Sequence, residues 1–118
     1  MEAKRIGNNV IILSIKNKFD INKVQTFDHT LRELFDRHTR TIAINMADIK
    51  RIDSLAISSL MKAHSLAQNL NIDFILLNLP KHIRLVFEAS SLLNFFHILT
   101  EKEFKKKFEL YEKDTKDS

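Results

Sequence analysis

A chain of 118 residues that is 44% hydrophobic has material for one domain with a real core and too little for two ordinary ones. The absence of cysteine excludes a disulfide framework, thiol chemistry and any cysteine-ligated metal, and fits a reducing compartment. Nineteen basic residues against 15 acidic ones give a net charge of +4, but the only basic run, Lys105–Lys107, is interleaved with Phe104, Phe108 and Tyr111 at helical spacing, so a solvated helix face is expected there and not a nucleic-acid patch.

The first residues, MEAKRIGNNV, carry no apolar signal-peptide core, and no apolar run approaches the ~18 residues of a membrane span, so a soluble cytoplasmic protein with no membrane partner is expected. Lys4–Ile6 and Val10–Ile15 flank Gly7-Asn8-Asn9, residues that tolerate the positive φ of tight turns, and read as a β-hairpin. Gly7 is the only glycine, which removes the glycine-rich phosphate loops of nucleotide-binding folds. Asn22 followed by Gln25 has the spacing of a capping box, and Val24, Phe27, Leu31, Leu34 and Phe35 give an amphipathic helix to about Arg37. That helix is the crossover to Thr41–Asn45, an apolar run suited to a strand buried on both faces of a parallel sheet, with a right-handed connection expected.

A mixed segment, Met46–Ile52, reads as a loop ending in Asp53 and Ser54, residue types that cap helix N-termini. Either residue can be the cap. In the helix that follows, Ile57, Leu60, Met61, His64, Ala67 and Leu70 recur at spacings of three and four and predict the buried face, with His64 expected as a hydrogen-bonded core histidine. A second stripe, Leu55, Ser58, Ser59, Lys62 and Leu66, is read either as ordinary surface or as a docking face.

Asp73 opens a further apolar strand, Phe74–Leu77, and Pro80 precedes a short helix marked by Ile83, Val86 and Phe87. Phe95–Leu99 reads as a last, edge strand, and Thr100 with Glu103 as the capping box of a closing helix through about Tyr111. Strands alternating with helices after a hairpin predict an α/β fold with a mixed sheet of about four to five strands and about four helices.

The run of apolar strand, short loop, Ile52-Asp53-Ser54 and apolar helix resembles the STAS domain of bacterial anti-sigma factor antagonists. Asn17-Lys18-Phe19-Asp20 resembles that family's Gly-Glu-Leu-Asp, and Leu77-Asn78-Leu79-Pro80 with its following helix resembles its third helical unit. The chain departs from the family at Asn17 in place of Gly, Asn45 in place of Asp, and Leu55-Ala56 in place of Ser-Gly. The resemblance implies one STAS-like domain over residues 1–112, with 113–118 as a frayed tail, and implies Ser54 as a phosphorylation site with Asp20 and Asp53 in its environment. It further implies a non-enzymatic antagonist whose partners are an anti-sigma factor with serine kinase activity and a serine phosphatase; Leu55, Ser58, Ser59 and Lys62 of the second stripe are the candidate docking residues.

Other chemistries fit the residues less well. Asp20, Asp48 and Asp53 lack an aspartyl acceptor at a strand end, where Asn45 stands, and read as hydrogen-bonded loop carboxylates and not as a metal site. The five histidines show no ligand spacing, and no serine sits in a nucleophile elbow, so neither a metal, a cofactor nor a hydrolase is expected. The rival reading is a STAS-like scaffold or adaptor that is not phosphorylated.

Overall fold

The structure, a computed structural model, describes residues 1–7 and 9–116. Five strands form one mixed sheet: β1 (Glu2–Ile6), β2 (Val10–Ser14), β4 (Thr41–Asn45), β6 (Asp73–Leu77) and β7 (His97–Leu99), in the spatial order β1-β2-β4-β6-β7. β1 is antiparallel to β2, as the hairpin predicts, and the other neighbours are parallel. Gly7 takes a φ of 61° in the hairpin turn, and Asn8 lies outside the described residues. Among the described residues there are four helices, α1 (Ile21–Leu34), α2 (Ser54–Asn69), α3 (Lys81–Ala89) and α4 (Glu101–Lys116).

Both faces of the parallel strands are covered, which is why these strands read as unbroken apolar runs. Leu13, Ile42, Ile44, Phe74 and Leu76 point to one face and pack with Phe27 and Leu31 of α1, Leu60 of α2, and Ile83 and Phe87 of α3. Val10, Ala43, Ile75 and Leu77 alternate to the other face, where Phe104 of α4 meets them. The Thr100–Glu103 capping box starts α4: Glu103 N–H donates to Thr100 Oγ1 (3.1 Å) and Thr100 N–H to Glu103 Oε1 (2.9 Å). The helix runs beyond Tyr111 to Lys116, and the last two residues of the tail expected from Lys113 lie outside the described residues.

Three readings change. Part of the segment read as a loop is a strand, β5 (Ile49–Ile52), which pairs in parallel with the short β3 (Asn17–Phe19) in a second, two-stranded sheet. Asn17 reaches β5 with a φ of 66°, the left-handed conformation that explains why the related motif uses Gly there. α1 is capped by Asp20 and not by Asn22, whose N–H donates to Asp20 Oδ1 (3.1 Å), and it ends at Leu34.

The buried face of α2 is also rotated. Ala56, Ser59, Leu60, Ala63 and Ala67 are buried, Ile57, Met61 and His64 are partly buried, and Leu70 is 48% exposed. Small side chains let α2 lie close against its neighbours, and these carry little weight in an apolar periodicity.

Candidate functional site

Ser54 stands at the carboxyl edge of the sheets, where α1 and α2 begin side by side. Asp53 is the N-cap of α2, with extended backbone and its Oδ1 accepting from Ala56 N–H (2.9 Å), so Ser54 is the first helical residue. This settles which of the two residues caps. The other carboxylate oxygen, Oδ2, accepts from Ile21 N–H (3.0 Å), the first residue of α1. Asp20, one residue earlier, caps α1. The two aspartates expected near Ser54 thus sit together at paired helix starts, each occupied with backbone N–H groups.

Two consequences follow for Ser54. Its side chain is exposed, and no hydrogen bond of its hydroxyl is found among the described residues. The Ile57 N–H returns to the Asp53 carbonyl (3.1 Å) and Asp53 takes that of Ala56, whereas the N–H groups of Ser54 and Leu55 have no protein acceptor among the described residues. Free N–H groups and the positive ends of two helix dipoles therefore converge on one edge, a setting that favours added negative charge.

A shallow groove runs from this edge between the helices, with Ile21, Val24 and Asp28 of α1 facing Leu55, Ser58 and Lys62 of α2. Leu55 is 49% exposed and Ile21 61%, so an apolar side chain stands on either side of the helix starts. Ser58 and Lys62 are exposed as the second stripe predicts. Ser59 is not: it is 4% exposed and its hydroxyl donates to Asp28 Oδ1 (2.8 Å), so it ties α2 to α1 instead of offering a docking group. Ala56, fully buried at the first turn of α2, carries its methyl into the core, away from the surface that a partner would meet.

Beneath the edge, the strand ends are joined by amides. Asn45 Oδ1 accepts from Ala47 N–H (3.2 Å) and from Asn78 Nδ2 (3.3 Å), and Asn45 Nδ2 donates to Ser14 Oγ (3.4 Å), linking the ends of β2, β4 and β6. Asn45 thus holds the loops that follow these strands. Asp48 lies apart, its carbonyl accepting from Asn17 N–H (2.9 Å), and among the described residues no group of three or more histidine or carboxylate side chains is placed to hold a metal ion.

Sequence reasoning missed Ile21, whose exposure and tie to Asp53 depend on a contact spanning 32 residues. It also misjudged His64. The ring lies among Phe74, Phe95 and Phe96 with centroid distances of 6.2, 5.0 and 5.6 Å, but its buried Nδ1 has no hydrogen-bond partner among the described residues, so this is not a satisfied core histidine. Burial pushes its pKa below the usual imidazole value, against the attraction of Asp73 and with a small push from His97.

The family model for the STAS domain matches residues 1–107. No curated protein matches the chain in sequence. Among solved structures, the anti-sigma factor antagonist SpoIIAA in its unphosphorylated form superposes with a TM-score of 0.76 at 17% identity, over 92% of this chain and 95% of that one. The phosphorylated form of Bacillus SpoIIAA gives 0.71 at 18% identity, over 91% and 97%. A sulfate transporter family protein of Wolinella succinogenes gives 0.69 at 12% identity, over 85% and 84%. At these identities the likeness is one of fold, while the family match spans the hairpin, both sheets and the start of α4. The chain belongs to the STAS domain family.

Proposed function

We propose that this protein is a cytoplasmic anti-sigma factor antagonist switched by phosphorylation of Ser54. Unmodified, it sequesters an anti-sigma factor with serine kinase activity and so frees a sigma factor; a serine phosphatase restores the unmodified form. The observation that carries this reading is the exposed Ser54 hydroxyl at the first position of α2, beside two N–H groups without protein acceptors among the described residues. The protein is the substrate in this scheme. The Ser54 oxygen attacks the γ-phosphorus of ATP, its proton passes to a base of the kinase, and ADP leaves. Leu55, Ser58 and Lys62 form the docking surface beside the acceptor, and the structures of SpoIIAA in both phosphorylation states accord with a switch of this type. Among the described residues no helix is long and apolar enough to cross a membrane.

A phosphate adds about −1.5 to −2 charge directly beside Leu55. A partner surface that packs on Leu55 must then be desolvated against this charge, and each ~1.4 kcal/mol of penalty weakens binding tenfold. The test is phosphopeptide mapping of the protein isolated from its own cells, followed by calorimetry of the unmodified, phosphorylated, Ser54→Ala and Ser54→Asp forms against the kinase that co-purifies with it. Phosphate on Ser54, with binding at least tenfold weaker in the phosphorylated form, is the expected result. Binding that is indifferent to the modification, or labelling chiefly at Ser58, would leave the adaptor reading in its place.

A further inference from the structure

We propose that Asp53 is the positioning residue of the switch: its carboxylate ties the start of α1 to the start of α2, and phosphate on Ser54 breaks that tie and frees the first turn of α1. The proposal rests on Ser54 being the phosphate acceptor.

Asp53 touches three elements at once. Its N–H donates to the Phe19 carbonyl at the end of β3 (3.3 Å), Oδ1 holds Ala56 N–H in α2, and Oδ2 holds Ile21 N–H in α1. An N-cap needs only one of these oxygens. The second links two helices whose next hydrogen bond to each other, Ser59 to Asp28, lies about two turns further along. At the tip of α1 Ile21 and Asn22 are exposed, and the core contacts of this helix begin only at Val24 and Phe27.

Phosphate on the adjoining residue places like charge next to the carboxylate and adds three acceptor oxygens close to the same N–H groups. Repulsion turns the Asp53 side chain away. The Ala56 bond lies within the same turn of α2, where a phosphate oxygen can replace the carboxylate; the Ile21 N–H belongs to another element and is left to water. Ile21 and Leu55, the two apolar side chains flanking the helix starts, then lose their fixed spacing. A partner docked across both helix tips would sense phosphorylation as charge and as altered spacing.

The test uses full-length protein with phosphoserine encoded at position 54, so that it requires no kinase, and reads single amides by hydrogen exchange in NMR spectra. In the wild-type background, phosphoserine should speed exchange of the Ile21 amide at least tenfold while the Leu60 amide in α2 stays unchanged. In Asp53→Asn, which retains one acceptor oxygen of the two, Ile21 should exchange fast already, and phosphoserine should add less than twofold. A merely structural cap would show no dependence on phosphate. An Ile21 rate that is the same with and without phosphate in the wild-type background overturns the proposal, and that arm needs no variant to fold. An equal acceleration in Asp53→Asn overturns it too. Absence of phosphate on the protein from its own cells would instead refute the functional reading, so the two failures are distinguishable.

Discussion

The packing of α2 can be tested with two leucines that an apolar periodicity places on the same face. Leu60 is fully buried in the core, whereas Leu70, the C-cap, is 48% exposed. Leu60→Ala removes three carbons from the core, a transfer loss of about 2.4 kcal/mol at about 0.8 per methylene. The cavity left behind adds about 24 cal/mol per Å³ that does not collapse, which brings the expected cost to about 3–5 kcal/mol. For a domain of this size that is a fall in melting temperature of roughly 10–20 °C. Leu70→Ala should cost about 1 kcal/mol or less, because half of its surface is already in water. Urea denaturation of both variants measures the contrast, with Lys62→Ala, on the exposed stripe, as a control within about 0.5 kcal/mol. Equal midpoints for Leu60→Ala and Leu70→Ala would show that the buried face is not the one formed by Ala56, Leu60, Ala63 and Ala67.

Three further outcomes are expected. Asn17 holds a φ of 66°, so Asn17→Gly should leave the urea midpoint nearly unchanged while the β-branched Asn17→Val costs about 1–2 kcal/mol. Burial lowers the pKa of His64 in the folded state, so the unfolded chain binds more protons below pH 6.5 and stability must fall as the pH drops through that value; His64→Phe should flatten this part of a melting-temperature profile, and an unchanged slope would refute the burial argument. Burial opposes ionisation of Asp73, but hydrogen bonds from His97 (2.9 Å) and Lys107 (3.1 Å) outweigh it and hold its carboxyl below the ordinary value. That contribution is present above the unfolded carboxyl pKa and lost as pH falls through the folded one, so Asp73→Asn should remove stability at neutral pH and change little near pH 2, as read from acid titration of the melting temperature.

Which elements were legible in the sequence depended on whether their signals were local. The hairpin around Gly7, the strands at Thr41 and Asp73, and the Thr100–Glu103 box all carry their signal within a few residues, and all form where expected. The strands β3 and β5 do not. Lys50 and Arg51 are exposed in the middle of β5, so nothing in its own pattern marks a strand until it pairs with Asn17–Phe19. The face of α2 was misplaced because alanine and serine fill the positions closest to neighbouring elements, while Leu70, read as part of that face, points outward. Ser54 could be placed at a helix start from its neighbours alone. That Asp53 serves a second helix, and that Ser59 faces Asp28, are contacts across 31 or 32 residues that no local spacing encodes.

The small sheet that the sequence conceals is also what assembles the site. In a parallel sheet each strand delivers its following helix to the same edge, but neighbouring helices need not begin at the same height. Here β3 leads into α1 and β5 into α2, and the pairing of Phe19 with Ile52 brings the next residues, Asp20 and Asp53, to the same level. The Asp53 N–H extends that pairing by one bond, to the Phe19 carbonyl, before the chain turns into the helix. Two N-caps are thereby set side by side, and only then can one carboxylate reach both helices. Asn17 makes the arrangement possible from the other end, since its left-handed backbone lets the chain leave β2 and enter β3 within three residues. The position of Ser54 therefore depends on a short paired segment that Phe19, Ile49 and Ile52 anchor to the core, while Asn17, Lys18, Lys50 and Arg51 are exposed. A two-stranded segment with exposed side chains at four of its seven positions opens locally more readily than the main sheet, where strands buried on both faces hold the rest of the domain in place.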